Sequence, residues 1–103
     1  GAHFMIAVRR TYLPKPGKGG KLATLITEAG KAMETAGYSK PKTYKAWHGP
    51  HGMLQTEQIW ESISDYEISR SSVRNTPSIT SIFEKIYPLL ADTHKTEIFE
   101  IVD

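Results

Sequence analysis

The sequence predicts an α+β domain with the ferredoxin-like element order β-α-β-β-α-β. An apolar stripe at helical spacing runs through residues 22–36, and residues 53–70 have the pattern of a strand that leads straight into a helix. Segments near the two ends of the chain supply the first and the last strand. This order implies a four-stranded antiparallel sheet with its helices on one face, in the usual strand order 4-1-3-2.

Length and composition indicate a single domain that covers residues 1–103, in which residues 1–4, ahead of Met5, are interpreted as an expression scar. The hydrophobic fraction of 39% and the charged fraction of 23% are ordinary for a soluble globular protein. The chain contains no cysteine, which excludes disulfides and thiolate chemistry. No apolar run approaches a membrane span of about 20 residues. We therefore expect a cytoplasmic location and no membrane association.

The first strand is predicted over residues 4–13, which are rich in β-branched and aromatic side chains. A loop rich in Pro and Gly follows, and the first helix then runs from about Lys18 or Lys21 to Ala36. Gly37, directly after the apolar stripe, is a natural C-terminal cap. Residues 42–48 alternate as a second strand, and a turn over residues 49–52 returns the chain into the third strand.

The second helix is predicted from Asp65 to about Arg74, because Ser64 and Glu67 have the spacing of a capping box. Thr76 is placed as the cap of a third helix, with Pro77 in its first position. That helix ends near Tyr87, ahead of a proline. The last strand is predicted over residues 95–102. The helical side chains expected to face the sheet are Leu25, Ile26, Met33, Ile82 and Phe83.

Charge is unevenly distributed along the chain although the net charge is only +2. Residues 1–52 carry nine Lys and Arg against two Glu, whereas residues 53–103 carry four against nine acidic residues. The predicted strand order places Arg9 and Arg10 between acidic side chains of the neighbouring strands, namely Glu57, Glu61, Glu97 and Glu100. No stripe of basic residues alternates with stacking aromatics, so nucleic-acid binding is not expected.

The sheet face away from the helices is expected to carry apolar side chains. Five large residues, Tyr12, Trp47, Trp60, Ile98 and Phe99, cannot all point towards the helices. An uncovered apolar face of this size indicates a partner surface. The simplest partner is a second copy related by a two-fold axis, which predicts a homodimer in the form of a dimeric α/β barrel.

Several short segments carry a resemblance to a known family: Arg10-Thr11-Tyr12, Pro16-Gly17-Lys18, Trp47, Gly52-Met53-Leu54, Ile59-Trp60-Glu61 and Arg70. On these segments the chain resembles the NIPSNAP-type proteins of the dimeric α/β-barrel superfamily over about residues 5–102. The extra proline at position 14 departs from the family's usual spacing before the Pro-Gly-Lys segment. The resemblance implies a homodimer with an interior cavity in each subunit. Relatives in the superfamily include cofactor-independent monooxygenases and haem-degrading enzymes.

Haem-degrading relatives use an Asn on the first strand, a Trp on the third and a His on the second helix. Trp60 matches the Trp, but the first strand has no Asn and the second helix has no His. The haem-degrading activity is therefore not carried over, and no cofactor is expected. His48 and His51 have H-x-x-H spacing in a turn, where a zinc site would need further ligands. No metal site is predicted, and a role for either histidine as a general base stays open.

The candidate ligand-binding residues are Arg10, Tyr12, Trp47, His48, Trp60, Arg70 and Arg74. Arginine binds carboxylates and phosphates with forked hydrogen bonds, and aromatic rings stack on apolar groups. Each has an alternative role in core packing, cross-strand pairing or a solvated helix face. The sequence thus supports two functions: a binder or enzyme for a small, partly apolar and anionic molecule held between sheet and helices, or a homodimeric assembly module without a ligand site. Whether the protein is an enzyme stays open.

Overall fold

Residues 4–103 are described by the computed structural model, and they form one antiparallel sheet with helices packed on one face. The elements are β1 (Ile6–Tyr12), α1 (Gly19–Thr35), β2 (Lys42–Lys45), β3 (Leu54–Trp60), α2 (Ile63–Arg74), α3 (Pro77–Ile86), a 3-10 helix (Tyr87–Leu89) and β4 (Lys95–Glu100). The strand order β2-β3-β1-β4 confirms the predicted ferredoxin-like fold, with its second helix split in two. Residues 1–3, which make up most of the proposed expression scar, lie outside the described residues.

Helix α1 follows its apolar stripe closely, and the predicted cap at its C-terminus is confirmed. Gly37 has a φ of +96°, the left-handed conformation that glycine adopts without strain. The Gly37 N–H donates to the Glu34 carbonyl and the Tyr38 N–H to the Met33 carbonyl, both at 3.0 Å. These two bonds form a Schellman motif, which satisfies carbonyls that the helix itself leaves unpaired.

The capping box predicted at Ser64 is wrong, because α2 begins earlier, at Ile63. Ser62 is the cap: its backbone is extended, and its Oγ accepts a hydrogen bond from the Asp65 N–H at 3.1 Å. A capping residue needs this non-helical backbone, which Ser62 has because the chain leaves β3 only two residues earlier. In α3, Pro77 lies at the helix start as predicted. Thr76 caps that helix only with its backbone, since its hydroxyl donates to the Ser72 carbonyl at 2.8 Å.

Strand β2 is shorter than predicted and ends at Lys45. The Ala46 N–H still donates to the Met53 carbonyl at 3.0 Å, after which the chain turns. The turn contains Gly49 and Gly52 with φ of +116° and +76°, and it begins before the predicted end of the strand at His48. As a result Trp47 leaves the sheet and is 94% exposed.

Strand register corrects the prediction of which side chains lie on the open face of the sheet. Tyr12 pairs with Leu54, Ile6 with Trp60, and Val8 with Ile98. Directly opposed residues share a face, and these pairs are on the helix side. Of the five large side chains considered, only Phe99 lies on the open face. That face nevertheless has an apolar end, which the alternation of β1, β3 and β4 builds from Met5, Ala7, Ile59, Phe99 and Ile101.

Arg9 and Arg10 point to opposite faces of β1, so the prediction of paired charges holds for one of them only. Arg9 Nε lies 2.9 Å from Glu57 Oε2 on the open face, in the one ion pair formed within residues 4–103. The Tyr44 hydroxyl donates to the other Glu57 oxygen at 3.4 Å. An exposed pair of this kind contributes about 0–1 kcal/mol. Arg10 is on the helix side and has no carboxylate partner there.

The core between sheet and helices is divided into two clusters. The larger surrounds Leu22 of α1 and Ile86 of α3, which are fully buried, and includes Tyr12 of β1. The smaller consists of Ile6, Val8 and Tyr66, with Trp60 packed against it. Among the predicted core residues Leu25, Ile26 and Met33 are buried, whereas Ile82 and Phe83 are only partly buried.

Candidate functional site

A cavity of about 450 Å³ lies between the helix-facing side of the sheet and the helices. Its walls include residues of both core clusters, among them Tyr12 and Ile26 of the larger and Tyr66 and Trp60 of the smaller. The floor is formed by alternate residues of β1 and β3, because only every second side chain of a strand points towards the helices. The cavity is thus a gap between two packed clusters.

Two arginines meet at one tyrosine ring in this cavity. Arg10 Nη2 donates a hydrogen bond to the Tyr66 hydroxyl at 2.8 Å. The guanidinium carbons of Arg10 and Arg70 each lie 5.8 Å from the centre of the Tyr66 ring, within the range of cation–π contact. Arg74, one turn further along α2, also lines the cavity, and its Nε donates to the Arg70 carbonyl at 3.2 Å. Glu84 is the one carboxylate in the lining.

Trp60 supplies a further hydrogen-bond donor to the same wall. Its ring packs edge-on against Tyr66, with centroids 5.8 Å apart, and lies 6.0 Å from the Tyr38 ring. The Trp60 Nε1 is buried and has no hydrogen-bond partner within the described residues. A buried donor without an acceptor costs about 1–3 kcal/mol. Trp60 Nε1 is therefore a buried donor that the described residues leave without an acceptor, and it belongs to the same wall as the Arg10 and Arg70 guanidinium groups.

The opposite part of the lining is an aromatic stack centred on His94. The His94 ring stacks with those of Tyr12 and Tyr87, at centroid distances of 5.4 Å and 6.1 Å. Burial raises the pKa of Tyr12 to about 12, so its hydroxyl stays protonated. Burial, and next the positive charge of Arg10, lower the pKa of His94 below its ordinary value of 6.5. The imidazole is therefore neutral at physiological pH.

Five of the predicted ligand-binding residues line this one cavity: Arg10, Tyr12, Trp60, Arg70 and Arg74. Trp47 and His48 are not in its lining; both are in the exposed connection between β2 and β3. His94 was not predicted. Its position next to Tyr12 follows from the register between β1 and β4 and not from a local sequence pattern. Thr11 pairs with Lys95, so the next residue pair of the antiparallel ladder brings Tyr12 and His94 together.

Within residues 4–103 no three His, Asp or Glu side chains are grouped so as to hold a metal ion. None of the helices in that range is long and apolar enough to cross a membrane.

Comparison with known proteins relates this architecture to solved structures. A NIPSNAP family protein from Agrobacterium tumefaciens matches with a TM-score of 0.82 at 19% identity, over 100% of this chain and 90% of that chain. The fold is that of a NIPSNAP-family structure. A NIPSNAP domain protein from Burkholderia xenovorans matches with a TM-score of 0.78 at 16% identity, over 91% of each chain.

The chain is also similar in structure to a protein from Chloroflexus aurantiacus that is named as an antibiotic biosynthesis monooxygenase. That match has a TM-score of 0.70 at 20% identity, over 96% of this chain and 94% of the other. No protein-family model and no curated protein matches the sequence. The resemblance inferred from short segments of sequence is thus confirmed at the level of the fold.

Proposed function

We propose that the protein binds a small, partly apolar carboxylate in the cavity between sheet and helices. The observation that carries this proposal is the buried Trp60 Nε1, which has no acceptor within the described residues and packs against the Tyr66 ring at which Arg10 and Arg70 meet. A carboxylate offers several acceptor sites and one negative charge, which would satisfy the indole N–H and be attracted by the guanidinium groups.

The remainder of the lining accounts for the apolar part of the ligand. Ile26, Ala29, Met33, Ile79 and Phe83 contribute aliphatic and aromatic surface. A volume of about 450 Å³ is within the range of small-molecule sites, which combine an apolar wall with a few placed polar groups. These features favour an acid that carries a ring or a short hydrocarbon chain.

The test uses Trp60 as an internal reporter. The Trp47→Phe variant removes the exposed tryptophan and leaves Trp60 as the only one, so its fluorescence reports on the cavity. The variant is titrated with benzoate, 3-phenylpropionate and octanoate, and with the three corresponding alcohols. At least one acid is expected to bind about tenfold or more tightly than its alcohol, because hydrogen bonds to charged groups contribute about 1.5–3 kcal/mol. If no acid alters the fluorescence, or if acids and alcohols bind equally, the proposal fails.

We also propose that the protein forms a homodimer through the open face of the sheet. The support is the apolar end of that face, where Met5 and Phe99 are 49% and 42% exposed. Exposed apolar surface of this kind is typical of protein interfaces, and a two-fold axis would bury it against itself. A homodimer that bound none of the acids would favour the assembly-only function. The cytoplasmic location stays a prediction.

Light scattering at micromolar concentration is expected to report about twice the chain mass of 11.5 kDa. The Phe99→Lys variant should shift the protein to a monomer, because it places a charge in the buried interface. Ile68→Lys is the matched control, since Ile68 is on α2, away from the open face, and is already 71% exposed. A wild-type monomer, or a Phe99→Lys variant that stays dimeric, would contradict this assembly.

A further inference from the structure

One part of the cavity has no role in binding a carboxylate. The His94 ring stacks with the rings of Tyr12 and Tyr87. The nitrogens of an imidazole are on the ring edge, which stacking leaves free. His94 lines the cavity, so a titratable group is positioned beside the space in which the ligand would lie.

His94, a potential base, lies within the electrostatic influence of a cation, Arg10. Arg10 and Tyr12 are two residues apart on one face of β1, and the charge of Arg10 acts on both Tyr12 and His94. The same Arg10 is hydrogen bonded to Tyr66, whose ring Trp60 and Arg70 also contact. The other charged or titratable residues of the cavity lining are Tyr66, Arg70 and Arg74 of α2, Glu84 of α3 and Tyr87 of the 3-10 helix. A ligand held at Arg10 is therefore near His94 as well.

We propose that His94 accepts a proton from the carbon next to the carbonyl of a bound 2-oxo acid, so that the protein catalyses enolisation. This inference rests on the proposed carboxylate site and names its substrate class. The C–H bond breaks and its proton forms an N–H bond on the imidazole. The electron pair of the broken C–H bond becomes the new C=C bond. The carbonyl π electrons move to the oxygen, whose negative charge Arg10 stabilises. Return of a proton to carbon completes the cycle without any other reactant.

The state of His94 agrees with this role. A proton acceptor must be neutral, and burial together with Arg10 lowers the pKa of His94. The rate is therefore expected to be constant at and above the ordinary histidine pKa. It should fall at lower pH, where the imidazole becomes protonated and can no longer accept a proton.

The experiment follows deuterium exchange at C3 of phenylpyruvate in D2O by proton NMR. The protein should accelerate this exchange about a hundredfold or more over buffer, within the contribution of a positioned general base. His94→Phe keeps an aromatic ring in the stack but removes the base, so it should abolish most of this acceleration. In the Trp47→Phe background, His94→Phe should still bind 3-phenylpropionate. His51→Phe, in the exposed turn between β2 and β3, is the matched control and should exchange at the wild-type rate.

The outcomes separate this inference from the proposed function. If 3-phenylpropionate binds but exchange is no faster than in buffer, enolisation is wrong and carboxylate binding stands. Exchange that persists in His94→Phe, or that does not fall at low pH, also overturns the role of His94. If none of the three acids binds and no exchange is observed, both proposals fail.

Discussion

Replacing Leu22 with alanine is expected to lower the free energy of unfolding by about 2–5 kcal/mol. Leu22 is 0% exposed and packs in the larger core cluster, where α1 and α3 meet over β1. The substitution removes buried methyl groups and leaves a space that the two helices and the sheet can fill only in part. The expected loss is a large share of the 5–15 kcal/mol by which a typical domain is stable.

Urea denaturation followed by circular dichroism measures this change, and Ile68→Ala serves as its control. Ile68, like Leu22, is a branched aliphatic side chain on a helix. It is 71% exposed, however, so it buries little apolar surface that the substitution could remove. Its substitution should alter stability by no more than about 0.5 kcal/mol. Equal denaturation midpoints for Leu22→Ala and the wild type would mean that α1 is not packed as described.

Replacing Arg10 with glutamine is expected to weaken the binding of 3-phenylpropionate by about tenfold or more, because one charge-assisted hydrogen bond is lost. Arg10 is the guanidinium on the cavity floor that also contacts Tyr66. The alcohol 3-phenylpropan-1-ol carries no charge, so its affinity should change much less. The affected quantity is therefore the difference in affinity between acid and alcohol.

Arg9→Gln is a closely matched control for this prediction. Arg9 is the neighbouring residue on the same strand, but its side chain pairs with Glu57 on the open face. Its replacement removes the same charge and should leave affinity for the acid unchanged. Both variants are measured by Trp60 fluorescence in the Trp47→Phe background. If the two substitutions weakened binding alike, the effect would be one of net charge and the anion would not be bound at Arg10.

Much of the candidate site could be predicted from the sequence because it depends on strand alternation. Arg10 and Tyr12 are two residues apart in a strand and must share a face. Trp60 ends the neighbouring strand, and Arg70 follows it on the next helix, so all three elements were placed correctly. Trp47 was placed by the same rule, but the rule failed there because a turn with two glycines of positive φ ended β2 early.

The sequence by itself determined the helices, the number of strands and their order of succession, because hydrophobic periodicity and glycine caps act within a few residues of chain. Only the tertiary structure decided which of several nearby residues of the same type caps a helix or forms an ion pair. Ser62 rather than Ser64 caps α2, and of Arg9 and Arg10 only Arg9 pairs with a carboxylate, since strand register and the path out of β3 set these choices. His94 joins Tyr12 for the same reason: pairing of β1 with β4 unites residues from opposite ends of the chain, and no local pattern encodes that contact.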